Sequence, residues 1–226
     1  MVRITKTELN NLNNDFRNFK TRIVETKRKD NTYFITQLNH YQKKYIKAGL
    51  GKSFAENIFE FAEKMRKIGI QDFPGMIFGN LMKMPFLKTK AKEFYALKGL
   101  EYAQEQGDTI HVFARLVDLE KIYKQNKDTH NYTRVLFQEE KTLNRICSDF
   151  KGAKRNYKTY LRGHNQLKRY EIELAKTRVD IAKVILKTNP KQAQIILEKA
   201  KIIFEREDRQ KEIDFVDLLL SELLEK

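Results

Sequence analysis

Within the stretch KQAQIILEKAKIIFERE, residues 191–207, Ala193, Leu197 and Ala200 recur at steps of four and three in the order small, large, small. On a helix these residues share one face, and the small side chains let a second helix approach closely. That is the mark of a repeated helical hairpin. A chain built this way buries its apolar faces between neighbouring helices and needs no sheet.

The rest of the chain agrees with an all-α fold. Nine Gly and three Pro among 226 residues are too few for a many-turned β-sandwich or a doubly wound α/β protein. Thr5 and Glu8 have capping-box spacing, and Leu9, Leu12, Phe16, Phe19 and Ile23 follow in steps of three and four. Phe34, Leu38, Tyr41 and Tyr45 repeat the rhythm until Gly49 and Gly51 interrupt it, which predicts a long helical hairpin. Ser53 and Glu56 read as a second capping box ahead of Phe54, Ile58, Phe61, Met65 and Ile68. The turn residues Asp72, Phe73, Pro74 and Gly75 then introduce an apolar cluster. A boundary is expected there, giving an N-terminal helical region 1–84 and a repeat region 85–226, either as two domains or as one continuous domain.

Further helices are expected at roughly 86–106, 109–126, 130–148, 151–187 with a break near Gly163, 191–206 and 209–225. Gly107-Asp108, Lys127-Asp128, Asn189-Pro190 and Asp208 punctuate them. Joints this short force neighbouring helices to lie antiparallel.

From Ala175 to Phe204 the chain resembles the tetratricopeptide (TPR) family. Ala182 and Ile185 fit the small and large positions of its first helix, Asn189-Pro190 its turn, and Ala193, Leu197 and Ala200 its second helix. The loop is one residue shorter than is usual there. A weaker unit places Gly99 and Tyr102 on a first helix and Gly107-Asp108 in a turn. Its second helix carries Val112, Leu116 and Leu119 where small residues belong. A third echo, through Leu119, Tyr123, Asn126 and Asp128, falls in a different phase, and 149–173 does not fit the period. The resemblance implies a TPR-like stack of antiparallel helical hairpins, an α-solenoid, preceded by the longer hairpin. It also implies a non-enzymatic scaffold that binds a peptide or partner helix in a helix-lined groove.

The chemistry-bearing residues exclude more than they suggest. Cys147 is the sole cysteine, so neither an internal disulfide nor a Cys-based zinc site can form. His40, His111, His130 and His164 form no His-x-x-x-His or Glu-x-x-His pair, and no metal or cofactor is expected. Residues 48–53, AGLGKS, end like a phosphate-binding loop, but Ile46 stands where its first glycine belongs and a helix precedes it. The acidic runs Glu139-Glu140 and 205–209 sit among Lys and Arg like solvated faces.

A formal net charge of +15 invites a polyanion, or else reflects compositional drift. The alternative function is accordingly nucleic-acid binding through 150–170, which lacks acidic residues. There Lys151, Lys154, Arg155, Lys158, Arg162, Lys168 and Arg169 are interleaved with aromatic side chains, including Tyr157 and Tyr160. The same stretch also reads as a solvated helix or a contact for an acidic protein.

Two apolar surfaces are candidates for docking. Met76, Phe78 and Met82 form either a buried connector or an adaptable patch. Leu219 and Leu223 lie on a C-terminal helix that caps the last hairpin or pairs with a second copy. The longest apolar patch, 76–84, is broken by Gly79, Asn80 and Lys83, so a soluble, cytoplasmic protein without a membrane span is expected.

Overall fold

The computed structural model describes residues 5–26, 30–71, 73–152 and 157–224, with the side chains of 26, 157–164 and 224 outside that description. Among the described residues the fold is all-α: α1 Lys6–Thr26, α2 Asn31–Lys47, α3 Gly51–Lys67, α4 Pro74–Met82, α5 Thr89–Glu105, α6 Thr109–Gln125, α7 Thr129–Gly152, α8 Tyr157–Ile185, α9 Pro190–Arg206 and α10 Gln210–Leu224. None of these helices is long and apolar enough to cross a membrane. The chain divides into two compact units, 1–107 and 108–226. The expected change at 84 and 85 falls inside the first unit, where α4 packs on α5.

Local chemistry sets the helix ends. Thr5 Oγ1 accepts from the Glu8 amide at 3.2 Å while Glu8 Oε2 accepts from the Thr5 amide at 2.8 Å, a complete capping box. Asp30, Asp108 and Asn189 cap α2, α6 and α9 through their side-chain oxygens. Gly49, Gly69 and Gly107 take positive φ at the joints, and so do Lys127 (56°) and Asp208 (52°). At Gly49, the Leu50 amide bonds back to the Tyr45 carbonyl at 2.8 Å, which closes α2 and turns the chain into α3.

Two expectations about these ends are corrected. Ser53 caps nothing, because α3 starts at Gly51 with Leu50 as its N-cap. Ser53 lies inside the first turn, and its carbonyl accepts from Asn57 Nδ2 at 2.9 Å. Gly163 does not break its helix either, since α8 runs through it. One glycine costs a helix only about 1 kcal/mol, which the flanking residues tolerate.

In the first unit each helix meets its sequence neighbour and the next but one. Phe16 and Lys20 of α1 lie against Phe54 and Phe61 of α3, at 5.3 Å and 6.0 Å. Phe59 and Arg66 of α3 lie against Phe94, Glu101 and Glu105 of α5. Phe34 stacks on Phe73 at 4.3 Å, and Asn39 accepts from Asn80. Partner numbers rise together in each set, so α1, α3 and α5 run parallel, as do α2 and α4. The core is aromatic, with Phe16, Phe34, Phe54, Phe73 and Phe78 fully enclosed.

The second unit alternates in the same way. Arg178 of α8 pairs with Glu140 of α7, and Lys151 of α7 with Glu171 of α8, which sets those helices antiparallel. Phe113 of α6 meets Tyr170 of α8, while Lys183 of α8 sits over the Phe215 ring of α10 at 4.6 Å. Ala182, Ala193, Leu197 and Ala200 are completely buried in the core shared by α7 to α10, so the opening triplet does bring helices close.

Candidate functional site

On α1, the residues Arg17, Lys20, Thr21 and Val24 recur at steps of three and one, so they share a face beside the buried row Phe16, Phe19 and Ile23. On α3, Asn57, Glu60, Phe61 and Lys64 do the same. Because the two helices run parallel, these faces form the walls of one groove. Its volume is about 440 Å³, and Glu25 completes the lining.

Lys20 dominates the electrostatics of this groove. Its Nζ lies 4.9 Å from the centre of the Phe16 ring and 6.0 Å from that of Phe61, in reach of both ring faces. Among the described residues no carboxylate lies within ion-pairing distance of Lys20, Arg17 or Lys64. Burial pushes the Lys20 ammonium below its usual range; Glu60 opposes that, and Arg17 and Lys64 reinforce it.

The basic stretch 150–170 is only partly described. Lys154 and Arg155, with the side chains of Tyr157, Lys158, Tyr160 and Arg162, lie outside the described residues. Two of the remaining cations are already matched: Lys151 meets Glu171 at 2.8 Å and Lys168 meets Glu207 at 2.9 Å. Arg169 is exposed. Of the apolar candidates, Phe78 and Met82 are buried in the core and Met76 is half-buried, as the apolar faces of α4 turn toward its neighbouring helices. Leu219 is buried and Leu223 packs against the same core, whereas Phe215 (41% exposed) and Leu218 (56%) face outward from α10.

The phosphate-loop lookalike has a packing explanation. Gly49 takes positive φ at the end of α2, and a Cβ on buried Gly51 would stand 3.0 Å from the Phe86 ring. Asp108 accepts from the His111 amide at 3.0 Å, as a helix cap does. Cys147 is buried, and burial with Glu171 nearby raises its thiol to about 11. Among the described residues no three His, Cys, Asp or Glu converge as a metal site.

The expectation that Glu139 belongs to a solvated face is overturned. It is 3% exposed, because on α7 it shares a face with Val135, Leu136, Leu143 and Ile146. Its carboxyl accepts from Thr177, yet Oε1 has no hydrogen-bond partner. Burial, with the carboxylates Glu120, Asp180 and Glu173 close by, pushes it up to about 8. Burial also raises Glu120 and Tyr132, the latter aided by Asp180, Glu120 and Glu139. Glu173 and Asp180 are each matched by the lysine one turn on, Lys176 at 3.1 Å and Lys183 at 3.2 Å. Acidic groups of α6, α7 and α8 thus lie close around one buried carboxyl.

The run 205–209 is likewise more than surface. Arg206 bonds Glu171 of α8 at 2.6 Å, and Glu207 takes both Lys168 and Arg206. Comparison with protein-family models, curated proteins and solved structures finds no match to this chain.

Proposed function

We propose that this chain is a non-enzymatic interaction module, a TPR-like stack that holds a peptide or partner helix in a helix-lined groove. The alternation of parallel next-but-one helices in both units supports a stack of hairpins. The groove between α1 and α3 carries the functional reading: two parallel helices supply its walls and Phe61 an aromatic wall, while Arg17, Lys20 and Asn57 offer polar groups. Adjacent helices of such stacks leave furrows of this kind along their length, and a bound segment fills them. The enclosed acidic cluster is read as structural, because Glu139 is sealed and two of its neighbours are neutralised by their own lysines.

The nucleic-acid alternative loses two of its described cations to Glu171 and Glu207. The test begins with selection of peptides from a random display library on the full chain. Selected peptides are then bound to a variant with the photo-crosslinking residue benzoylphenylalanine in place of Asn57. Crosslinking there, and not from the same residue at exposed Lys52, is the expected result. Selected peptides that label only position 52, or a library yielding no binder, would reject the proposal.

A further inference from the structure

We infer that the segment held between α1 and α3 is acidic, presenting an Asp or Glu carboxylate to Lys20 with an apolar neighbour laid against Val24 and Phe61. This inference rests on reading that groove as the binding face. Its basis is charge complementarity. An ammonium half withdrawn from water loses hydration, and two aromatic ring faces restore only part of that. Elsewhere in the described chain, several cations that reach across helices find carboxylates: Arg66 takes Glu101 and Glu105, Arg178 takes Glu140, and Arg206 takes Glu171. Lys20 has no such partner, and Arg17 and Lys64 crowd it with like charge.

The lining also selects among anions. Arg17, Lys20 and Lys64 set against Glu25 and Glu60 leave a local excess of one positive charge, which a single carboxylate neutralises. A row of phosphates would be repelled by Glu25 and Glu60, so the groove favours an acidic peptide over a nucleic-acid backbone. Val24 adds a half-buried apolar surface beside the edge of the buried Phe61, which a bare anion would leave wet, so the carboxylate is paired with an apolar side chain.

The test uses the peptides that crosslink at position 57 and reads their composition and affinity by fluorescence anisotropy. Enrichment of Asp or Glu beside an apolar residue is expected. Lys20→Met keeps the aliphatic stem on Phe16 and Phe61 but removes the charge, and should weaken binding about tenfold or more, equivalent to at least about 1.4 kcal/mol. Lys64→Gln, at an exposed position whose loss leaves the core intact, should weaken it a few-fold, and Glu60→Gln should tighten it. Lys52→Met serves as the control and should change nothing.

Groove-labelled peptides that are neutral or basic, or affinities untouched by both Lys20→Met and Lys64→Gln, overturn the inference while leaving the groove as a binding face. Failure to label position 57 removes the groove reading and the inference with it. Displacement of the peptides by mixed-sequence RNA, but not by added acidic peptide, also overturns it.

Discussion

Replacing Glu139 by Gln should flatten the pH dependence of stability. In the native chain this carboxyl holds its proton up to about pH 8, whereas in the unfolded chain it ionises near the ordinary glutamate value of about 4.3. Between those limits the native state binds one more proton than the unfolded state, so stability falls as pH rises. The contribution is fully present below about pH 4 and gone above about pH 8. Each pH unit in the window is worth about 1.4 kcal/mol, so the span of three to four units totals about 4–6 kcal/mol.

Glutamine mimics the neutral acid, accepts from Thr177 through its own oxygen and cannot ionise. The variant should match the wild type within about 1 kcal/mol at low pH and exceed it by several kcal/mol near pH 9. Urea unfolding followed by circular dichroism across this range measures both proteins, and subtracting one profile from the other cancels the groups they share. Hydrogen exchange of α7 and α8 peptides localises the effect. Parallel profiles would refute the reasoning, since they would mean that Glu139 is ionised in the folded chain and that Lys124, Lys176 and Lys183 compensate the cluster.

Lys127 adopts the left-handed backbone conformation with φ 56°, so Lys127→Gly should stabilise the chain by about 0.5–1 kcal/mol in a urea titration. Ala200 is fully enclosed, and Ala200→Leu should cost about 1–3 kcal/mol by overpacking, measured the same way. The Cys147 thiol, buried and raised to about 11, should react with iodoacetamide near pH 8 on the order of a hundredfold more slowly than a free cysteine, and at the ordinary rate in denaturant.

How legible the chain was depends on distance along it. The Thr5–Glu8 cap and the inward row Leu12, Phe16, Phe19 and Ile23 were readable because they rest on contacts within one or two turns. The Ala193, Leu197 and Ala200 face was readable for the same reason. Ser53 misled because a capping pattern is also compatible with a first-turn position, and the glycine turn before it fixed an earlier start. Glu139 looked like a surface acid by composition, although its spacing from Val135, Leu136 and Leu143 carried the signal of an inward face. The groove left no comparable trace. Lys20 and Lys64 stand on different helices, which meet only in the folded chain through contacts such as Phe16 with Phe54 and Lys20 with Phe61.

Within each unit, the partners of a helix lie no further than the next helix but one among the described contacts, so every loop that folding must close is short. Chains with such local wiring order quickly, since little entropy is lost before the first contacts form. Synthesis delivers the amino terminus first, and the Phe16, Tyr45 and Phe54 cluster needs only α1 to α3. The walls of the α1–α3 groove can therefore assemble while most of the chain is still being made.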